Sequence, residues 1–169
     1  MLCVISGLCS IEAQAYGGND NGLTRYAYVK MNGVAVWQSS WYGLHPYRRG
    51  VNVIIVNVSS CIMQEWHNFD TYDDPAAAAR LRDFLQGLSD GTVLVGVTCD
   101  SAELYLSDAL PTLSALGADV SNVRIRGAWV FVTVKGDPSK TVFDKEITEE
   151  LATARQPRVN ANFGKCDLS

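Results

Sequence analysis

Residues 51–58 read VNVIIVNV, and this run of β-branched side chains decides the fold class. Val and Ile favour the strand conformation, so the run predicts a buried β-strand. Residues 61–69 (CIMQEWHNF) follow after a tight turn and are predicted to be its partner strand. Residues 92–98 (TVLVGVT) predict another buried strand. The chain is therefore expected to be built on strands joined by short turns.

Turn signals predict two hairpins on either side of these strands. Residues 23–38 (LTRYAYVKMNGVAVWQ) place Asn32 and Gly33 between two alternating apolar runs, which is a strong hairpin signal. Residues 122–134 (NVRIRGAWVFVTV) are predicted to form a closing hairpin around Gly127.

Two helices are predicted between the strands. Asp74 suits a helix cap and Pro75 suits the first helical position, so the pair predicts a helix start. Its core-facing positions are Leu81, Phe84, Leu85 and Leu88. The second helix, closed by Gly117, is marked by Leu106, Leu110, Leu113 and Leu116, with Pro111 in its first turn. We therefore predict a single α+β domain over residues 1–169, in which two packed antiparallel β-sheets form a sandwich flanked by two or three helices.

Composition limits the classes of partner. The chain has 169 residues, of which 47% are hydrophobic and 19% charged, so it is expected to fold around one core. Its net charge is −4 and it has no Lys/Arg run, which argues against nucleic acid as a partner. No apolar run approaches the length of a membrane span, so no membrane insertion is expected. Residues 1–15 end in Ala-Gln-Ala, as signal peptides do, but they lack a basic start, and we expect them to stay in the protein.

Motifs for catalysis and metal binding are absent from the sequence. The two histidines, His45 and His67, stand in no metalloprotease motif, and no nucleophile elbow, phosphate-binding loop or dinucleotide fingerprint exists. Asp70, Asp73 and Asp74 form an acidic cluster whose spacing does not match a calcium-binding loop. We therefore expect no enzyme, no metal and no cofactor.

Three charged residues stand at the predicted strand ends, where binding groups often lie. Arg49 precedes the strand at 51, Asp100 follows the strand at 92–98, and Arg126 precedes the strand at 128. Two guanidinium groups and a carboxylate can grip the vicinal hydroxyls of a sugar. The same three residues can equally form an ion-pair network that only holds loops together.

Aromatic residues and a glycosylation sequon are further candidates. Trp41, Tyr42 and Tyr47 lie in a predicted loop, where they either stack on the C–H face of a sugar or pack in the protein. Asn57-Val58-Ser59 is an N-glycosylation sequon, which has meaning if the chain is secreted.

Several short motifs, in order and nearly without gaps from about Leu23 to Gly136, carry a resemblance to a known family. They are Arg49 to Val53 (RGVNV), Phe69 to Tyr72 (FDTY), Asp90 to Leu94 (DGTVL), Leu116-Gly117, Trp129 to Phe131 (WVF) and Lys135-Gly136. These motifs resemble the interleukin-like EMT inducer/pancreatic-derived factor family. They are also similar to the stem domain of protein O-mannose N-acetylglucosaminyltransferase and to a module of cell-surface hyaluronan-processing proteins. The resemblance implies two antiparallel sheets flanked by helices, without catalytic activity.

The resemblance also implies roles for the three charged residues. In the glycosyltransferase stem, which is a lectin for terminal N-acetylglucosamine, the sugar contacts match Arg49, Asp100 and Arg126 of this sequence. The implied function is therefore a lectin for terminal sugars of glucosamine or galactose type, with glycans or glycoproteins as partners. The alternative is a secreted cytokine-like signalling protein with a protein receptor.

The cysteines bear on whether the protein is secreted or cytosolic. Five stand at positions 3, 9, 61, 99 and 166, and a bridge between the two ends of the chain would be typical of a secreted domain, whereas five reduced cysteines would indicate a cytosolic one. The cytokine-like branch of the resembled family implies a Cys9–Cys166 bridge, an unpaired Cys3 and secretion. Cys61 stands at a turn position, where it is available for a Cys61–Cys61 link in a homodimer.

Overall fold

The structure, a computed structural model, describes residues 4–18, 25–40, 43, 45–123, 125–146 and 155–167, with no description of the side chains at 4–6 and 165–167. The strands in these ranges are β1 (Val4–Gln14), β2 (Tyr16–Gly17), β3 (Tyr26–Met31), β4 (Val34–Ser40), β5 (Gly50–Asn57), β6 (Ile62–Phe69), β7 (Val93–Asp100), β8 (Trp129–Val134), β9 (Asp137–Lys145) and β10 (Arg158–Asp167). The helices are α1 (Ala77–Gly87), a short 3-10 helix (Ser107–Ala109) and α2 (Leu110–Ala115).

Two sheets form the body of the protein. The first has the strand order β10-β1-β3-β4, and the second has the order β6-β5-β7-β8-β9. All these pairs are antiparallel, while the two-residue strand β2 lies parallel to β7 through Tyr16–Cys99 and Gly17–Asp100. The prediction of an α+β fold with two packed antiparallel sheets and flanking helices is confirmed.

The second sheet is covered on both faces, which explains its continuous apolar strands. Side chains of β5 and β7 alternate between two hydrophobic cores. The core between the two sheets contains Ile11, Val29, Ile54, Val95 and Val130. The core between the second sheet and the helices contains Val53, Leu81, Leu85, Leu94, Leu113 and Phe131. The run at 51–58 is thus apolar at nearly every position because it forms part of both cores.

The first predicted hairpin is confirmed, and the second is wrong. Asn32 (φ 48°) and Gly33 (φ 80°) make a turn with two positive φ angles between β3 and β4, which such hairpins favour. Residues 122–127, by contrast, form no strand described by the structure. β8 instead turns back at Lys135-Gly136 and pairs with β9. The Gly136 φ of +82° allows that tight turn.

Both helices form, although α1 begins later than predicted. The Asp74 carboxylate accepts a hydrogen bond from the Ala76 N–H at 2.9 Å, which caps the turn before the helix, and α1 itself begins at Ala77. The second helix has Pro111 in its first turn, and Gly117 follows its end with φ +90°. No helix in the described part of the chain is long and apolar enough to cross a membrane.

Within the part of the chain that the structure describes, Cys9 is bonded to Cys61, so the predicted Cys9–Cys166 bridge is wrong. In the ladder between β1 and β10, Cys166 lies opposite Ile5, whereas Cys9 lies opposite Phe163. Four residues of strand separate Ile5 from Cys9, which is about 13 Å and too far for a bridge. The fully buried Cys9 side chain lies between the sheets and meets Cys61 in the turn after β5, with 5.3 Å between the Cα atoms.

This pairing also corrects the predicted link between two chains, because Cys61 is already bonded within its own chain. Cys99 is a free and buried thiol, and Cys3 lies outside the described residues. The bridge ties the first sheet to the second at the end of β5 that lies away from Arg49.

A candidate binding site at the end of the central strand

The ends of three neighbouring strands, β5, β7 and β8, meet at one end of the second sheet. We call this end, with Arg49, Asp100 and Arg126, the charged edge. Because β5 and β7 are antiparallel and Gly50 pairs with Cys99, the chain enters β5 where it leaves β7. β8 is also antiparallel to β7 and begins at this edge. Sheet topology therefore brings the segments that carry Arg49, Asp100 and Arg126 to the same edge.

Asp100 is the most unusual residue of this edge. It is 4% exposed and has a φ of +62°, a conformation that a non-glycine residue rarely adopts. One carboxylate oxygen, Oδ2, accepts a hydrogen bond from the Tyr47 hydroxyl at 2.6 Å. The other, Oδ1, is buried and accepts no hydrogen bond from any residue that the structure describes. A buried acceptor without a donor is unfavourable by about 1–3 kcal/mol, and such atoms often mark functional sites.

Gly18 packs directly against this carboxylate. Its N–H donates to the Asp100 carbonyl oxygen at 2.7 Å, so the two residues lie against each other. A Cβ at position 18 would lie 2.3 Å from Asp100 Oδ1 and 3.2 Å from Arg126 Cδ. Only a glycine fits at position 18, because any side chain would collide with Asp100 Oδ1 and crowd the Arg126 side chain.

Arg126 is the arginine of the charged edge that remains available to a ligand. It is exposed, has φ +60°, and makes no ion pair or hydrogen bond with the residues that the structure describes. Backbone strain at both Asp100 and Arg126 is typical of a site where the surrounding fold holds functional side chains in place.

Arg49 is occupied by other partners. Its Nε and Nη2 atoms donate to the Asp70 carboxylate at 3.0 and 2.8 Å, and Nη2 lies 3.0 Å from Asp73 Oδ2. The hydrogen bonds to Asp70 raise the pKa of the guanidinium further above its ordinary value. Arg49 thus holds the segment after β6 in place and is not bonded to Asp100. The described residues therefore do not form the ion-pair network among Arg49, Asp100 and Arg126 that the sequence left open, because the partners of Arg49 are Asp70 and Asp73.

Tyr47 is the one predicted aromatic that the structure describes, since Trp41 and Tyr42 lie outside the described residues. Burial raises the pKa of its hydroxyl, and so does the hydrogen bond to the Asp100 carboxylate, which keeps the hydroxyl a donor at neutral pH. The Tyr47 side chain is still 47% exposed. Sequence reasoning suggested Tyr47 as a stacking face but missed its bond to Asp100.

Cys99, next to Asp100, has a buried thiol that is not a reactive nucleophile at neutral pH. Burial raises the pKa of its thiol to about 12, so the thiolate is not formed at neutral pH. Its sulfur lies 3.7 Å from Asn52 Nδ2 in the core between the sheets.

An apolar groove lies beside the charged edge, and sequence analysis did not find it. The groove has a volume of about 140 Å³ and runs between the 102–107 and 120–127 segments, with Leu104, Val123 and Gly127 in its walls. Leu104 is 57% exposed, and Ile125, between the wall residues Val123 and Gly127, is 72% exposed. Tyr105, also exposed, follows Leu104 in the sequence, and we call Leu104, Tyr105 and Ile125 the apolar rim. Single exposed apolar residues are common, so what distinguishes this surface is that Leu104 lines the same groove as Val123 and Gly127.

Comparison with known proteins places the chain in a family. The family model described as "Interleukin-like EMT inducer" matches residues 49–137, more than half of the chain. The chain belongs to the interleukin-like EMT inducer family. The matched range runs from Arg49 to the start of β9 and includes Asp100, Arg126 and the apolar rim, whereas Gly18 and Tyr47 precede it. The resemblance inferred from the short motifs is thereby confirmed.

Curated relatives of this interleukin-like EMT inducer domain are proteins of different lengths. The human "Cell migration-inducing and hyaluronan-binding protein" is 33% identical over 98 residues, which cover 57% of this chain and 7% of that protein. Human "Protein FAM3B" is 31% identical over 90 residues, covering 52% of this chain and 38% of that protein. Human "Protein FAM3C" is 31% identical over 107 residues, which cover 62% of this chain and 46% of that protein. The chain thus spans less than half the length of each of these relatives.

Proposed function

We propose that this chain is a secreted, non-catalytic, cytokine-like interaction protein that binds a protein receptor. Membership in the interleukin-like EMT inducer family carries the proposal, because the match covers strands β5 to β8 of the second sheet and the segments between them. The apolar rim supplies a suitable surface. Burying a side chain such as Leu or Ile in an interface is favourable by about 1.5–3 kcal/mol, and exposed apolar clusters often mark protein-binding sites.

The receptor proposal predicts saturable binding to animal cells that depends on the apolar rim. Fluorescently labelled protein is expected to bind cultured human cells, and the Leu104→Ser, Ile125→Ser double variant is expected to bind at least about tenfold more weakly, since it loses apolar contact area. Val34→Ser is the matched control, because Val34 is 67% exposed on the first sheet and lies outside the groove. Flow cytometry against protein concentration measures the affinities.

Enzymatic treatment of the cells distinguishes a protein receptor from a glycan partner. For a protein receptor, surface proteolysis abolishes the binding, while enzymatic removal of glycans leaves it intact. Equal binding by the rim variant and wild type, or binding that depends on glycans alone, would contradict the receptor proposal.

A second candidate function is sugar binding at the charged edge, and the unpartnered Asp100 Oδ1 favours it. A sugar hydroxyl that reached the Asp100 carboxylate would donate to Oδ1, which has no donor among the described residues. A neighbouring hydroxyl would accept from Arg126, and the exposed Tyr47 ring offers a face for C–H contact. Such a site exchanges water hydrogen bonds for protein ones, so micromolar to millimolar affinity per site is expected.

The sugar site is tested with a glycan array probed with the wild type and an Asp100→Asn, Arg126→Asn double variant. Asparagine tolerates the positive φ at both positions, so the variant removes the charges without adding backbone strain. Selective binding by the wild type, at least about tenfold stronger than that of the variant, is expected at high glycan density. Arg82→Ala, which removes an arginine from α1 outside the site, serves as the control. Folded protein that binds no glycan on the array would exclude the sugar site.

A further inference from the structure

The turn that follows β5 presents an asparagine amide in a defined geometry. Asn57 Oδ1 accepts hydrogen bonds from the backbone N–H groups of Ser59 and Ser60 at 3.0 and 3.1 Å. The nitrogen of the same amide, Nδ2, makes no hydrogen bond with a described residue. It is also not shut off from solvent. Asn57 is half-buried, and Ser59 and Ser60 are exposed. A group attached to Nδ2 therefore breaks no contact of the described structure.

We propose that Asn57 is an acceptor for an N-linked glycan when the chain passes through the secretory pathway, and that the first sugar lies against Ile62. Asn57-Val58-Ser59 is the only Asn-x-Ser/Thr sequence of the chain. In the transfer, Nδ2 attacks C1 of the first sugar of a lipid-linked oligosaccharide diphosphate. The N–C1 bond forms, the bond from C1 to the diphosphate oxygen breaks, the lipid diphosphate leaves with the electron pair, and Nδ2 loses one proton.

Ile62 offers the surface on which that sugar lies. Asn57 and Ile62 are direct partners in the β5–β6 ladder, and side chains of such pairs lie on the same face with Cβ atoms about 4.5–5.5 Å apart. Ile62 is 53% exposed, so an unmodified chain leaves an apolar side chain open on the edge strand β6. A shallow groove of about 350 Å³, lined partly by Asn57, Gln64 and Thr92, lies beside the acceptor and gives the sugar room.

The acceptor lies away from the candidate binding site. β5 runs for eight residues from Gly50, beside Arg49, to Asn57, which places the two ends about 23 Å apart. The glycan would therefore cover the disulfide-bonded turn and the β6 edge. The apolar rim and the exposed Arg126 would remain uncovered.

The test expresses the full chain behind a cleavable signal peptide in cultured animal cells. Wild type, Asn57→Gln and Ser59→Ala are compared with Ser60→Ala and Ser59→Thr, and each protein is treated with a peptide N-glycosidase that converts the acceptor Asn to Asp. We expect a glycosidase-sensitive increase in mass for wild type, Ser60→Ala and Ser59→Thr. We expect none for Asn57→Gln and Ser59→Ala. Peptide mass spectrometry of the treated wild type is expected to find Asp at position 57.

The glycosylation result does not depend on any receptor or sugar ligand, since the signal peptide is supplied and the readout is the covalent bond. Wild-type protein in the medium without a glycosidase-sensitive mass would overturn the proposal. If a variant is retained in the cells, the same comparison is made on the cell-associated protein.

Contact between the sugar and Ile62 is tested separately with Ile62→Ser. Removing the glycan is expected to lower the melting temperature of the wild type more than that of the Ile62→Ser variant, because only the wild type loses the apolar contact. Equal changes in the two proteins would overturn the contact with Ile62.

Discussion

Replacing both cysteines of the Cys9–Cys61 bridge with alanine is expected to lower the free energy of unfolding by about 4 kcal/mol. The bridge closes a loop of 52 residues, and the chain-entropy estimate for a loop of that length is about 4 kcal/mol. The crosslink restricts the unfolded chain strongly because it joins a strand of the first sheet to a turn of the second. Urea unfolding followed by tryptophan fluorescence measures the change.

Cys99→Ala is the matched control for the loss of a buried sulfur. Cys99 is as fully buried as Cys9 but is not crosslinked, so its replacement is expected to lower the unfolding free energy by no more than about 1–2 kcal/mol. Wild-type protein in a strong thiol reductant is expected to unfold like the double variant. A double variant no less stable than Cys99→Ala would show that the bridge contributes little to stability.

Gly50→Ala is expected to lower the free energy of unfolding by about 2–5 kcal/mol. Gly50 has φ +92°, which an alanine adopts only with strain. A Cβ there would also lie 2.3 Å from the Phe69 carbonyl oxygen and 2.8 Å from the Asp70 Cα. These are backbone atoms, so relief requires the segment that binds Arg49 to shift, and overpacking of this kind is unfavourable by about 1–3 kcal/mol more.

Gly91→Ala separates the two contributions. Gly91 has a similar φ of +86°, yet a Cβ at this position meets nothing within 4 Å. Its replacement is expected to lower the unfolding free energy by about 1–2 kcal/mol, which is the effect of the backbone conformation alone. Urea unfolding measures both changes. If the two variants lose the same free energy of unfolding, the backbone around Phe69 and Asp70 moves away from the new Cβ without a measurable loss of stability.

Strands covered on both faces were predictable because burial leaves a continuous apolar pattern. Residues 51–58 and 92–98 became β5 and β7, and Asn32-Gly33 marked a hairpin through its backbone preference. No strand was predicted over β1, β9 or β10. β9 and β10 lie at the edges of their sheets, β9 has no fully buried side chain, and the buried residues of β1 and β10 include small ones such as Ala13 and Ala161, so no continuous apolar run marks these three strands.

The candidate site was predictable in position but not in contacts. Three strand ends at one edge follow from antiparallel pairing, so Arg49, Asp100 and Arg126 could be expected near one another. That Arg49 pairs with Asp70, while Asp100 Oδ1 remains without a donor, depends on side-chain directions that the sequence does not encode locally. Gly18 lies 82 residues before Asp100 in the sequence, so only the β2–β7 contact relates them.

By itself the sequence determined the fold class, the central strands, the two helices, the family resemblance and the sequon at Asn57. These features depend on local preferences and on burial patterns that repeat along a few neighbouring residues. Only the tertiary structure decided that Cys9 pairs with Cys61, that Gly18 packs against Asp100, and that Leu104, Val123 and Gly127 line the same groove. These are relations between residues far apart in the chain, and strand register and sheet packing determine which side chains meet.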